Sequence, residues 1–208
     1  MQCNIEMAEI AHLDYTVVPV TTSKEKSRFK RAWYAIWKEE GYAVDNDSIV
    51  EKYSKYDPHS FDYILLNKSL NDVGTLRIIN HSPSCGLPVL NDFELDHHFQ
   101  GHEKLIEATL LTVHKTERKK SPIPTYLLLI TLWRFARANH MTSIVIAADF
   151  RLWLMLTQRL GLCFVQMGKE KMYEGSMTVP GYLIVEKQKE LAMNITPKNM
   201  FELALQEI

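Results

Sequence analysis

The stretch IEATLLTVHKTERKKSPIPTYLLLITLWRFARANHMTSIVIA, residues 106–147, decides the fold. Ile106 to His114 reads as a strand. Pro122 and Pro124 start a helix over Thr125 to Asn139 that is apolar on most sides, and Ser143 to Ala147 is a β-branched run. Strand, helix, strand in that order implies a parallel crossover. Within it, Tyr126 to Phe135 is the longest apolar segment of the chain, but Thr131 and Arg134 interrupt it and it falls well short of the ~20 residues that span a bilayer. It reads as a buried helix, with no membrane span.

Upstream, Thr16 to Val20 reads as an opening strand, and the Thr21-Thr22-Ser23 cluster offers an N-cap with Glu25 early enough to suit the helix dipole. Phe29, Ala32, Trp33, Ile36 and Trp37 then recur at helical spacing until Gly41 stops the pattern. Phe61 to Asn67 and Val73 to Asn80 form a hairpin across Lys68 to Asp72, and their imperfect alternation suits a sheet covered on both faces. His81 to His102 is a long irregular loop of the kind that carries function. Downstream, a helix over Phe150 to Leu160 ends at Gly161, strands at Phe164 to Met167 and Gly181 to Glu186 complete a mixed sheet, and Pro197 to Gln206 forms a surface helix. The predicted class is α/β with a central mixed sheet.

The 208 residues carry 24 Lys plus Arg against 25 Asp plus Glu, and no Pro/Gly/Ser-rich linker divides them, so one domain over 1–208 is expected. A net charge of -1 exerts no global pull toward nucleic acid or membrane surfaces, and any basic site must be local. Cys3, Cys85 and Cys163 are odd in number and widely spaced, as reduced thiols of a cytoplasmic protein are. Met1 to Leu13 has no Lys or Arg and no apolar core, so no secretory signal is read there.

No glycine occurs between His102 and Leu160, which excludes a dinucleotide fingerprint or P-loop in the crossover. No Gly-x-Ser-x-Gly elbow is present, and Cys85 beside Gly86 reads as a turn residue rather than a nucleophile. Asp96, His97, His98 and His102 are the one metal-like cluster. Gly101 disfavours a helix there and no Glu completes a hydrolytic motif, so these read as loop histidines and no metal is expected.

Three segments in succession carry more specific information: Trp33-Tyr34-Ala35-Ile36-Trp37-Lys38-Glu39-Glu40-Gly41-Tyr42, then Tyr56-Asp57-Pro58-His59-Ser60, then Val73-Gly74-Thr75-Leu76-Arg77-Ile78-Ile79. With Gly86-Leu87-Pro88, Glu107 and Arg159-Leu160-Gly161 following in order, the chain resembles the GNAT-superfamily branch of the N-acyl amino acid synthases and acyl-homoserine lactone synthases over residues 15–187. The resemblance implies a GNAT fold, a twisted mixed sheet with helices on both faces and a splayed cleft. It implies acyl transfer from the phosphopantetheine thioester of acyl carrier protein, or from acyl-CoA, to the amine of an amino acid, with no permanently bound cofactor. Ordinary GNAT enzymes bind pyrophosphate at a Gly-containing turn after the fourth strand; here that turn, His114 to Pro122, is basic and glycine-free. Its cations Lys115, Arg118, Lys119 and Lys120, with Arg151 and Arg159, are assigned to an acidic carrier-protein surface; a solvated charged loop is the other reading.

The chain also departs from the family. Ser54 stands where an acidic residue precedes Asp57, Leu110 replaces the Arg of a Glu-x-x-Arg pattern, and neither Arg28 nor Arg31 has the usual spacing before Gly41. An amine with a pKa near ~8 needs a base before it attacks a thioester. Glu107 is the candidate, sharing a strand face with Thr109 and Leu111 opposite Ala108 and Leu110. The competing reading is a structural carboxylate held by Arg77. Arg77, amid Leu76, Ile78 and Ile79, needs a partner: Asp57, Glu107 or a substrate carboxylate. Glu107 and Arg77 are thus the catalytic candidates, and Trp33, Trp37, Asp57, Thr109 and Leu110 the substrate-binding ones. Trp33 and Trp37 line an acyl channel or are ordinary core. Leu127, Leu128, Ile130, Leu132, Leu152, Leu154 and Met155 bound a fatty chain or are core in the same sense. The expected product is an N-acyl amino acid. An acyl-homoserine lactone made with S-adenosylmethionine and a non-catalytic acyl- or carrier-binding module are the alternatives.

Overall fold

The computed structural model describes residues 10–12, 14–42, 46–96 and 104–187. Cys3, nearly all of Met1 to Leu13, the histidines His97, His98 and His102, and the surface helix expected at Pro197 to Gln206 lie outside the described residues. In chain order the elements are β1 (Ile10–His12), β2 (Tyr15–Pro19), α1 (Ser23–Glu40), α2 (Asn46–Ser54), a 3-10 turn (Asp57–His59), β3 (Ser60–Asn67) and β4 (Asp72–Asn80). There follow α3 (Pro88–Asp92), β5 (Leu105–Val113), α4 (Lys115–Lys120), α5 (Ile123–Ala138), β6 (Ser143–Asp149), α6 (Phe150–Leu154) with a π turn (Met155–Arg159), β7 (Val165–Gln166), β8 (Lys171–Tyr173) and β9 (Ser176–Ile184). The class is α/β on a mixed sheet, and β5, α5 and β6 realise the strand-helix-strand run.

The chain forms two compact units, Met1–Ile79 with Ala108–Phe135, and Asn80–Glu107 with Ala136–Ile208. In the first, β1, β2, β3 and β4 pair antiparallel in that order. Consecutive burial from Asp62 to Leu66 on β3 and from Val73 to Ile79 on β4 shows both faces covered, as the imperfect alternation predicts. One extra residue, Val73, is inserted between the pairs Leu65–Gly74 and Leu66–Asp72, so the register shifts there. Helix α1 opens with a capping box in which Thr22 accepts from the Glu25 N–H and the Glu25 carboxylate reaches back to the Thr22 N–H. It closes on Gly41 at φ 80°, a left-handed conformation that suits a residue without Cβ, and it buries Phe29, Trp33, Ile36 and Trp37.

In the second unit, β9 is the central strand, antiparallel to β6, β7 and β8. The helix expected over Phe150 to Leu160 is α-helical only to Leu154 and then widens to the π turn, where the Leu160 N–H reaches Met155 O at 3.0 Å. Cys85 and Gly86 do form a turn, both N–H groups donating to Ser82 O. The short elements β1, α2, α3 and β8 carry too little periodicity to be read from sequence. The expected turn from His114 to Pro122 is instead largely the helix α4.

Candidate active site

In the hairpin register, Asp62 lies directly opposite Arg77. The Arg77 guanidinium donates from Nε to Asp62 Oδ1 at 2.7 Å and from Nη2 to Asp62 Oδ2 at 2.8 Å, the two-pronged geometry a planar fork favours. Nη1 donates to Tyr53 O at 3.1 Å, and Nη2 lies 2.9 Å from Asp57 Oδ1, an ion pair without hydrogen-bond alignment. The guanidinium also stands 5.3 Å from the Phe29 ring centroid. Burial works against this charge, but Asp62 and Asp57 outweigh it and the net effect raises the Arg77 pKa.

Asp57 is the outer member of the cluster, with 28% of its side chain exposed and its Oδ2 2.9 Å from Lys30 Nζ. Arg77 is only 2% exposed and every nitrogen of its fork faces a protein acceptor. This geometry does not support Arg77 as a catalytic residue touching substrate: it is the support of Asp57. Among the partners expected for Arg77, Asp57 is present, and Asp62 occupies its fork. Asp62 was missed by sequence reasoning because the inserted Val73 sets its register.

Trp33 and Trp37 lie with ring centroids 5.3 Å apart, edge to face, and both pack against Tyr53. At 2% and 8% exposure they are core. Thr109 is half-buried and Leu110 is buried. Leu110 has φ 48°, a conformation that costs a leucine of the order of 1–2 kcal/mol. Its carbonyl accepts from Thr75 Oγ1 at 2.9 Å, and Thr75 and Thr112 hydroxyls meet at 2.7 Å.

Glu107, in the second unit, is 1% exposed and lies on a strand among buried Leu105, Ile106 and Ala108. Its Oε2 accepts from the Val89 backbone N–H at 2.9 Å, and Leu87 and Val89 are themselves fully buried. A carboxylate in such surroundings needs that bond.

On α4, Glu117 is buried at 7% exposure and accepts from Tyr15 OH at 2.7 Å, with Lys120 Nζ at 2.9 Å. Arg118 pairs with Glu40. Two of the four cations are therefore matched by acids, while Lys115 and Lys119, one helical turn apart, are exposed without an ion partner among the described residues. Arg159 is exposed and likewise has no ion partner among the described residues; Arg151 lies 3.8 Å from Asp149. Of the fatty-chain candidates, Leu127, Leu128 and Leu132 are buried, whereas Ile130, Leu152, Leu154 and Met155 are half-buried.

The family model of the N-acyl amino acid synthase FeeM matches residues 31–185. The chain belongs to the FeeM family. FeeM itself, an N-acyl amino acid synthase from uncultured soil microbes, has a solved structure that aligns with a TM-score of 0.64 at 20% identity, covering 87% of this chain and 98% of that one. The acyl-homoserine lactone synthase LasI aligns with a TM-score of 0.62 at 14% identity, covering 86% of this chain and 94% of that one. A GNAT-family acetyltransferase from Staphylococcus aureus Mu50 aligns with a TM-score of 0.53 at 14% identity over 82% of this chain and 99% of that one. No curated protein matches the sequence. This FeeM-family chain thus has the GNAT fold and is an acyltransferase. Among the described residues no helix is long and apolar enough to cross a membrane.

Proposed function

We propose that this chain is a cytoplasmic enzyme that moves a long-chain fatty acyl group from acyl carrier protein to the α-amine of an amino acid. The observation that carries the reading is Glu107, a buried carboxylate that accepts from the Val89 backbone N–H, in a chain of the FeeM family. Glu107 takes the proton from the ammonium, directly or through a water, and the neutral nitrogen attacks the thioester carbonyl. A C–N bond forms and the carbonyl oxygen becomes anionic, a charge of the kind that backbone N–H donors stabilise. Collapse breaks the C–S bond while the nitrogen gives up its second proton to the released thiolate, leaving amide and thiol, and Glu107 returns its proton to solvent. Asp57, the outer end of the buried ion cluster in the first unit, is assigned to substrate binding. Lys115 and Lys119 attract the acidic carrier, speeding encounter more than adding affinity.

The test is to incubate purified protein with long-chain acyl carrier protein or acyl-CoA, a mixture of amino acids and S-adenosylmethionine, and to identify acyl products by mass spectrometry. Acyl amino acids formed from the carrier-bound donor are the expected result, and Glu107→Gln lowers kcat about 10²- to 10⁴-fold. Preference for acyl-CoA removes the carrier assignment, an acyl-homoserine lactone replaces the acceptor, and no product under any condition leaves a binding module.

A further inference from the structure

We infer that Tyr173 is a positioning residue for Glu107, a role that rests on the base assignment above. Helix α3 has five residues and no side-chain cap at its start, too short to hold its own orientation. Its two ends are held from outside. Val89 in its first turn donates to Glu107 Oε2 at 2.9 Å, and Asp92, its last residue, accepts from Tyr173 OH on Oδ2 at 2.6 Å. These two attachments are three residues apart, about 4.5 Å along the axis, so movement at one end is felt at the other.

The attachment at Asp92 is one part of a continuous clasp. Lys171 Nζ donates to Asp92 O, and its ammonium lies 4.5 Å from the Phe93 ring centroid. The Phe93 and Tyr173 rings are 4.9 Å apart. The Asp96 N–H donates to Met167 O at 2.8 Å, and Leu95 bridges Gly168. A Cβ on Gly168 would lie 2.3 Å from Glu94 O, so only glycine permits this approach. Lys171 and Tyr173 reach the clasp from β8, which is turned back onto β9 by Glu174 and Gly175 at φ 50° and 90°, a tight hairpin turn with both central residues left-handed. The far hairpin thereby sets the direction of the N–H that orients the Glu107 carboxylate.

A double-mutant cycle tests this. The wild type, Tyr173→Phe, Glu107→Gln and the double variant are compared for kcat, for KM of the acyl donor and for the thermal midpoint. Tyr173→Phe is expected to lower kcat about tenfold with donor KM within about twofold, and to cause no further loss in the Glu107→Gln background. Asp92→Asn, whose amide oxygen still accepts from Tyr173, should keep most of kcat, whereas Asp92→Leu should reproduce the Tyr173→Phe loss and decides the matter if that variant does not fold. Full activity of Tyr173→Phe, or the same fractional loss with and without Glu107, overturns the role while leaving Glu107 as base. Normal turnover by Glu107→Gln alone removes the base assignment, and the positioning role with it.

Discussion

Arg77→Met removes the centre of the buried ion cluster, and the structure sets the size of the effect. Asp62, 4% exposed, loses both prongs of its partner, and Tyr53 O loses the Arg77 donor while keeping the Tyr56 N–H at 3.2 Å. Asp57 keeps Lys30 at 2.9 Å. An uncompensated buried charge of this kind costs about 3–5 kcal/mol, and we expect about 4. Asp62→Leu should cost less, about 3 kcal/mol, because Arg77 retains Asp57 and Tyr53 O. The double variant Arg77→Met/Asp62→Leu leaves neither charge uncompensated. Its cost is dominated by the lost Arg77 hydrogen bond to Tyr53 O, which keeps the Tyr56 N–H at 3.2 Å, and by the lost contact with Phe29, about 1–2 kcal/mol. The double variant should therefore be more stable than either single one. Urea unfolding followed by tryptophan fluorescence measures all four chains, and at ~2–4 °C per kcal/mol the thermal midpoint of Arg77→Met should fall by ~8–16 °C. A single-variant cost below about 1 kcal/mol, or a double variant whose cost equals the sum of the two, would refute the view that this cluster is held by mutual charge compensation.

Three further outcomes are expected. Thr75→Val, which takes the hydroxyl from Leu110 O and Thr112, should cost about 1–2 kcal/mol and lower kcat more than it raises either KM; unchanged kcat would separate the Leu110 conformation from catalysis. The Tyr15 hydrogen bond, then Lys120, lower the Glu117 pKa below 4.5, so this carboxylate's contribution is present above that value and is lost as pH falls through the folded value. Burial and Glu117 push Tyr15 up to about 12 from 10.0, so its contribution is full below pH 10.0 and is lost as pH rises through about 12. Tyr15→Phe should reduce the acid dependence and remove one late-titrating tyrosinate from the ultraviolet titration; an unchanged titration would place that high pKa elsewhere. Lys115→Glu/Lys119→Glu should raise KM for carrier-bound donor several-fold while leaving acyl-CoA unaffected, and Arg118→Gln/Lys120→Gln should do so less; equal effects would show that all four cations act as one charge cloud.

Much of the fold was legible because its signals are local. The α1 face, with Phe29, Trp33, Ile36 and Trp37, follows from helical spacing alone, and its limits at Thr22 and Gly41 follow from capping chemistry. The hairpin β3–β4 and the run β5-α5-β6 follow from strand composition and punctuation by proline. The family was legible in the order of several weak motifs, and the same motifs supplied Glu107, Asp57 and Arg77.

What the tertiary structure decided lies between residues far apart in sequence. The extra Val73 shifts the hairpin by one residue and so brings Asp62, rather than its neighbour, across from Arg77; a two-residue period cannot announce its own interruption. The left-handed conformation of Leu110 in β5 comes with a hydrogen bond from a threonine on another strand. Helix α4 was hidden in a run of cations because an acid at its centre, Glu117, is buried beneath Tyr15, over a hundred positions away. Glu107 was readable as a carboxylate on a strand, but the backbone N–H of Val89 that donates to it was not, because a backbone group has no letter in the sequence. Composition and periodicity determine which elements form and which faces they bury; the direction of each charged side chain is set by register, distortion and backbone donors, which exist only once the strands have paired.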